Sequence, residues 1–199
     1  MEQAQTDTVD GEIVLDDGVV GVLGPVLPNA DHHRIVELKE AAGSLPAGSL
    51  VIDARWVDGV LVAIDSQGRL RVHDGSERVL DEQVAPPLAV RGTRVAYVRG
   101  EMPTYEVAWV DVRSGAATAL TEGHAPAWNP AIGPDGDVVF VSGRDGTPRL
   151  YRVVEGGDTQ PLDVQTNAFP SALVAPVWDG RNLMFRDESG VSHLLEVGR

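Results

Sequence analysis

The chain has 199 residues, no cysteine, and 30 acidic against 16 basic side chains, which gives a formal net charge of −14. Without cysteine it can hold no disulfide framework, thiolate metal site or cysteine nucleophile. The acidic balance argues against a nucleic-acid partner and against an anionic membrane surface, because clustered Lys and Arg recognise both.

Five short β-rich stretches each follow a small polar turn that ends in glycine. In chain order, the turns are Asp17-Gly18, Asp58-Gly59, Arg91-Gly92, Asp135-Gly136 and Asp179-Gly180. The successive glycines are 41, 33, 44 and 44 residues apart, a spacing typical of stacked supersecondary repeats. We interpret the turns as architectural, since a tight hairpin needs positive φ at its tip.

Runs of β-branched and aromatic residues follow these turns and predict buried strands. They cover residues 19–23, 60–64, 94–98, 138–141 and 183–185. A further strand is predicted in each unit, at residues 34–38, 70–73, 106–112, 150–154 and 193–197. Short outer strands follow at residues 78–80 and 117–120, and at most one turn of helix is expected near residues 36–42.

Four antiparallel strands per unit, with the inner strands more apolar, predict the blade of a β-propeller. We therefore predict an all-β fold and one domain over residues 1–199. Its five blades would lie at about residues 9–46, 47–83, 84–122, 123–165 and 166–199. The last repeat stops after its third strand, so residues 2–8 are predicted to supply the missing outer strand and to close the ring. The alternative is an open fragment of a six- or seven-bladed propeller.

The fourth repeat carries a more specific motif. Residues 125–130 read Ala-Pro-Ala-Trp-Asn-Pro, and residues 133–136 read Gly-Pro-Asp-Gly. An apolar strand with a final serine and the turn at residues 143–146, Gly-Arg-Asp-Gly, come next. This order resembles the repeat of the TolB-like (PD40, or WD40-like) bacterial β-propellers. Asn129 stands where that family usually has serine, and two or three extra residues lie around 131–133.

The resemblance is good over residues 125–151 and extends to the other four units only through their periodicity. It implies a propeller of a bacterium. Propellers of this type serve as interaction platforms, as gates in front of peptidase domains and as periplasmic scaffolds. The fold therefore does not decide the function.

The residues that could carry chemistry are scattered. Asp31, His32 and His33 come nearest to a zinc site, but adjacent side chains of an extended strand point to opposite faces. The sequence contains no Gly-x-Ser-x-Gly elbow, no phosphate-binding glycine loop and no acidic calcium loop. Some five-bladed propellers are glycosidases, but they need longer loops. We predict no catalytic, cofactor or metal site and no enzyme activity.

The loops predicted to open on one face of the propeller hold the candidate partner-binding residues. These are Asp31, His32, His33, Met102, Tyr105, His124, Arg144, Asp145 and Phe169. We predict a non-catalytic protein-protein interaction or scaffold propeller whose partner is another protein. A small-ligand or glycan-binding propeller is one alternative, in which the tryptophans would serve as stacking platforms. Otherwise we predict that the tryptophans pack between blades. An accessory domain of a larger peptidase or sensor protein is the other.

The N-terminus predicts no export signal. Residues 1–7 contain neither a basic region nor an apolar segment, and no apolar run of about 20 residues could insert into a membrane. As written, the sequence predicts a cytoplasmic protein, or a periplasmic or extracellular one if it is part of a longer chain. It is compatible with a monomer.

Overall fold

The structure is a computed structural model. It describes residues 51–101, 104–122, 125–164, 168–171 and 174–198, and the backbone of residues 8–9, 12–14, 20–22 and 50. This part of the chain contains no helix and forms eighteen strands. The strands are β1 (Thr8–Val9), β2 (Glu12–Val14), β3 (Val20–Val22), β4 (Leu50–Val57), β5 (Val60–Asp65), β6 (Leu70–His73), β7 (Glu77–Asp81), β8 (Val84–Arg91), β9 (Arg94–Arg99), β10 (Glu106–Asp111), β11 (Ala117–Ala119), β12 (Ala127–Ile132), β13 (Val138–Ser142), β14 (Arg149–Val153), β15 (Gln160–Pro161), β16 (Val177–Asp179), β17 (Asn182–Arg186) and β18 (Ser192–Glu196).

The chain divides into two compact units, residues 1–86 and residues 87–199. The first unit contains a sheet with the strand order β1 to β7. Its neighbouring strands pair antiparallel except β3 and β4, which are parallel. β4 to β7 form an antiparallel meander, and residues 61–64 of β5 are buried. A continuous apolar run such as Leu-Val-Ala-Ile is typical of a strand covered on both faces.

The second unit contains three antiparallel meanders. Their strand orders are β11-β10-β9-β8, β12-β13-β14-β15 and β16-β17-β18. β13 is buried at all five positions, and β9 is buried at its four central positions. β9 and β13 coincide with the apolar runs at residues 94–98 and 138–141, where the sequence predicts buried strands.

The three sheets of the second unit pack face to face in chain order. One apolar cluster joins the sheet of β8–β11 to that of β12–β15, through Ala96, Val107, Trp109, Ala127, Ile132, Val138, Phe140, Tyr151 and Val153. A second cluster joins the sheet of β12–β15 to that of β16–β18, through Val139, Val141, Leu150, Leu183 and Phe185. Successive sheets that cover one another in this way are the packing expected of propeller blades.

The hairpin turns adopt the backbone geometry that their residues predict. Asp58 and Gly59 have φ of 50° and 82°, so both central residues of the β4–β5 turn are left-handed, as in a type I′ turn. The glycines of the three following Asp-Gly or Arg-Gly turns also have positive φ.

A β-bulge accommodates the extra residues of the fourth repeat. The register of β12 against β13 shifts between Trp128 and Ala131. Asn129, inside the bulge, has a φ of 55°. Asparagine adopts this left-handed conformation more readily than most residues, which gives a physical reason for its place here.

The structure confirms an all-β fold of antiparallel, mostly four-stranded units. The number of blades, the repeat boundaries and the single domain remain predictions. In the first repeat, residues 20–22 of the strand predicted at 19–23 form β3, whereas residues 34–38 and the helical turn near 36–42 lie outside the described residues. Of the closing strand predicted at residues 2–8, only Thr8 is described, in β1 paired with β2. The closure also remains a prediction.

Candidate functional site

Four of the nine predicted binding residues lie in the part of the chain that the structure describes. Tyr105 is half-buried just before β10, Arg144 and Asp145 are exposed in the β13–β14 loop, and Phe169 is exposed in the segment before β16. The other five, Asp31, His32, His33, Met102 and His124, lie outside the described residues. Two of the four described residues, Arg144 and Asp145, are neighbours in the β13–β14 loop.

Backbone and hydroxyl hydrogen bonds shape the β13–β14 loop. The amide of Gly146 donates to the carbonyl of Gly143 at 2.9 Å, and Gly146 has a φ of 87°. Ser142, at the end of β13, donates its hydroxyl to the carbonyl of Pro126 at 2.7 Å and accepts the amide of Arg144 at 3.3 Å. The loop is thus fastened both within itself and to the segment that leads into β12.

The two charged side chains of the loop are placed by one buried aromatic residue. The guanidinium carbon of Arg144 lies 4.8 Å from the ring centroid of Tyr151 and 5.7 Å from that of Phe140. These two rings stack with their centroids 6.0 Å apart. The hydroxyl of Tyr151 donates to Oδ2 of Asp145 at 2.5 Å. Cation-π attraction and a charge-assisted hydrogen bond therefore hold an exposed cation and an exposed anion side by side.

The environment of Tyr151 keeps its phenol protonated. Burial and the hydrogen bond to Asp145 together raise the pKa of Tyr151 to about 12, against the opposing charges of Arg144 and Arg149. The phenol therefore remains a neutral donor to Asp145 at physiological pH.

Arg144 lines a cleft of about 730 Å³. One wall is the end of β11 and the segment after it, with Thr121, Glu122 and Ala125; the other is the β14–β15 turn, with Gly157 and Asp158. This cleft therefore offers one guanidinium together with two carboxylates.

Phe169 lines a second cleft of about 420 Å³, together with residues at the start of β14 and in the segment after β15. Pro148, Leu150, Leu162 and Val164 supply most of its apolar wall. Phe169 is 45% exposed. Arg149 and Asp163 also line this cleft, so its wall is partly apolar and partly charged.

The acidic and histidine side chains of the described residues are dispersed. Within them, no three His, Asp or Glu side chains converge to hold a metal ion. No helix among them is long and apolar enough to cross a membrane.

His193 in β18 contacts an acidic side chain of the turn that precedes its strand. Nε2 of His193 lies 2.7 Å from Oδ2 of Asp187, and its ring stacks on Phe185 with centroids 5.0 Å apart. Asp187 precedes His193 by six residues, the spacing that also separates Asp145 from Tyr151. This repeated spacing was the signal in the sequence that could have revealed both pairs.

The four tryptophans differ in their surroundings. Trp109 belongs to the first apolar cluster, with the guanidinium carbon of Arg94 at 3.8 Å from its ring centroid. Trp128 and Trp178 pack against the second cluster, and Trp178 Nε1 donates to the carbonyl of Ala131 at 3.4 Å. Packing is thus confirmed for these three. Trp56 in β4 is 41% exposed, so it does not fit the prediction that the tryptophans pack between blades.

Comparison with known proteins gives a fold and no closer relationship. No protein-family model matches the chain, and no match is found among curated proteins. The structure is similar to TolB from Acinetobacter baumannii, with a TM-score of 0.52 and 16% identity over 77% of this chain and 45% of that chain. It is also similar to a chain of a nidogen/laminin complex, with a TM-score of 0.55 and 13% identity over 77% of this chain and 63% of that chain.

A third similar structure is a puromycin-hydrolyzing peptidase from Mycobacterium tuberculosis, with a TM-score of 0.53 and 14% identity over 73% of this chain and 28% of that chain. The chain thus spans less than two thirds of the length of each of these three proteins. At such identities the likeness concerns the fold alone. The all-β architecture of this chain and these similarities show that it has a β-propeller fold similar to that of TolB.

Proposed function

We propose that this chain is a non-catalytic, protein-binding β-propeller of a bacterium and that its binding surface is centred on the β13–β14 loop. The observation that carries the proposal is the placement of Arg144 and Asp145. Tyr151 holds both side chains at the surface, and Arg144 lines a cleft there. A preorganised pair of surface charges suits a protein interface, because little further ordering is needed on binding.

The proposed surface has a definite chemistry. A carboxylate of the partner would pair with Arg144, whose guanidinium is already oriented by the two rings beneath it. A basic side chain of the partner would approach Glu122 and Asp158 in the same cleft. An apolar side chain would fill the cleft beside Phe169. We therefore expect a partner segment that carries both charges and an apolar anchor.

The solved structures support binding to a protein without identifying the partner. One similar chain was solved in a nidogen/laminin complex, which is a complex of proteins. The similarity to a peptidase chain favours a second candidate, an accessory domain of a larger peptidase or sensor protein, in which the same surface would contact another domain. The glycan-binding alternative rests on exposed aromatic rings. Among the described tryptophans, only Trp56 is exposed.

The test begins with isolation of a partner from a bacterial lysate on the immobilised protein. The captured protein is identified by mass spectrometry, purified and titrated by isothermal calorimetry. Replacing both Arg144 and Phe169 by alanine removes the guanidinium and the exposed ring. We expect the dissociation constant to rise at least about tenfold, because an arginine and an aromatic anchor contribute strongly to an interface.

The matched control removes one arginine and one exposed apolar side chain elsewhere. Arg91→Ala at the end of β8 and Val79→Ala on β7 serve this purpose, and we expect the affinity to stay within about twofold of wild type. Arg144→Lys keeps the charge but not the planar stack on Tyr151, so its affinity should lie between wild type and alanine. Equal affinities for the wild-type protein and the Arg144/Phe169 double variant would overturn the proposal.

A further inference from the structure

The last sheet carries a row of exposed apolar side chains across its three strands. Val177 on β16 pairs with Met184 on β17, and Met184 pairs with Leu194 on β18. Because side chains alternate along a strand, these three lie on one face of the sheet, which we call the outer face. Leu183 and Phe185 point to the opposite face and are buried in the second apolar cluster.

The outer face is open, whereas its counterparts on the two preceding sheets are covered. Val177, Met184 and Leu194 are 54%, 43% and 67% exposed. Met184 directly precedes Phe185, and Val139 directly precedes Phe140. Each phenylalanine stacks on a ring of the next strand, Phe185 on His193 and Phe140 on Tyr151. Met184 and Val139 therefore occupy equivalent positions in their sheets. Val139 is fully buried by the next sheet in the chain. In the sheet of β8–β11, Ala96 and Trp109 are likewise buried by the sheet that follows.

A contiguous row of exposed apolar side chains is a candidate contact surface. Burying exposed Val, Met and Leu side chains against another apolar surface removes them from water and is favourable. The question is therefore which surface covers the outer face.

The charges on the outer face indicate its occupant. Asn182 pairs with Asp179 on one side and with Glu196 on the other, so two carboxylates border the apolar row at one end. Arg186 pairs with Ser192 and borders the row at the other end. The outer face is therefore acidic, apolar and basic in that order along the strands.

This pattern is complementary to itself. A two-fold axis along the apolar row lays one copy over another with strands reversed. The Val177, Met184 and Leu194 row of one copy then meets the same row of its partner, and the acidic end of each copy meets the basic end of the other. A two-fold interface pairs the same patch on both subunits, and this patch fits that requirement.

We propose that two copies of this chain associate through their outer faces. Three strands about 4.8 Å apart and five residues at about 3.3 Å each give a face of roughly 14 by 17 Å. That footprint is smaller than a standard protein interface. We therefore expect a weak and reversible dimer.

Sedimentation equilibrium of the full chain over a range of micromolar concentrations tests the dimer directly. Met184→Asp puts a carboxylate at the centre of the apolar row, and we expect it to weaken dimerisation at least about tenfold. Val79→Asp is the matched control, because Val79 on β7 is 46% exposed and lies outside the outer face. It should dimerise as wild type does. Circular dichroism checks that both variants are folded.

A charge exchange distinguishes self-association from any other occupant. Arg186→Glu alone makes both ends of the face acidic, and Asp179→Arg with Glu196→Arg makes both ends basic. Each variant alone should be monomeric, and a mixture of the two should form a heterodimer, which a size tag on one variant makes visible.

Three results would overturn the proposal: a monomeric wild-type protein at all concentrations, a dimer that survives Met184→Asp, or no heterodimer in the mixture. A monomeric wild-type protein would mean that another segment of the chain or a different protein covers the outer face.

Discussion

The hydroxyl of Tyr151 donates a hydrogen bond of 2.5 Å to Oδ2 of Asp145, so that a buried ring of β14 is tied to an exposed loop. The same relationship recurs six residues apart in two other repeats. Asp187 contacts His193, and Asp65 accepts from Nε of Arg71 at 2.7 Å. Each pair links the turn after an inner strand to the strand that follows it. The pairs therefore help to fix the shape of these three hairpins.

Tyr151→Phe should remove the hydrogen bond to Asp145 and keep the stacking on Phe140. We expect the free energy of unfolding at neutral pH to fall by about 1 kcal/mol, the usual contribution of one hydrogen bond. Urea denaturation followed by tryptophan fluorescence measures this. Tyr105→Phe is the control and should change stability by less than about 0.5 kcal/mol. If both variants are equally stable, the contact does not hold the loop.

The stability of the protein should fall between pH 10 and about pH 12, because burial and the bond to Asp145 raise the pKa of Tyr151 from 10.0 to about 12. In that interval the unfolded chain has lost the phenol proton and the folded chain still holds it. The contribution is fully present below pH 10 and is lost as the pH rises through the folded pKa. Urea midpoints across this interval should decline less steeply in Tyr151→Phe. Parallel decline in the two proteins would contradict the expectation.

Asp187 should contribute stability that disappears in acid. Hydrogen bonds from the hydroxyl of Ser189, from His193 and from the amide of Val191 lower the pKa of Asp187 below 3.8. A lowered carboxyl pKa contributes stability above pH 3.8 that is lost as the pH falls through the folded pKa. Asp187→Asn should therefore show a weaker loss of urea resistance below pH 3.8 than wild type. Asp163→Asn, in an exposed segment, should behave as wild type.

Gly133→Ala should destabilise the fold although φ at this residue is not left-handed. A Cβ at residue 133 would lie less than 3.0 Å from Oδ1 of Asp137, whose Oδ2 accepts from Nε of Arg152 at 2.8 Å. The carboxylate cannot move without disturbing that bond, so we expect a loss of about 1–3 kcal/mol in thermal or urea unfolding. Gly143→Ala is the control, since its Cβ would meet Trp128 at an ordinary 3.7 Å. Equal stability of the two variants would show that the carboxylate relaxes freely.

Arg152→Leu should cost more stability than the loss of an exposed ion pair. The side chain of Asp137 is 2% exposed, and Arg152 also donates to the carbonyl of Gly198 at 2.8 Å. Removing Arg152 leaves a buried carboxylate without its cation, which costs about 3 kcal/mol. Arg78→Leu breaks a pair with Asp74 whose side chains are 41% and 30% exposed, and it should cost less than about 1 kcal/mol. Urea denaturation of the two variants side by side makes the comparison.

Part of the site could be predicted because strand counting places loops. The alternation of apolar runs and turns located Arg144 and Asp145 in a hairpin loop and Phe169 between two sheets. The aromatic support beneath Arg144 could not be predicted, since it depends on the cross-strand pairing of Phe140 with Tyr151. Neighbours across a sheet are set by register, which local sequence specifies only in part.

The sequence by itself determined the strands and turns of this protein, because both are local properties. Apolar runs such as residues 60–64 become buried strands, and Asp58-Gly59 supplies the positive φ of a tight turn. Only the tertiary structure decided which faces are covered. Val139 and Met184 occupy equivalent strand positions, yet one is buried and the other exposed. The physical reason is that burial depends on the surface packed opposite a side chain, and no local pattern encodes that surface.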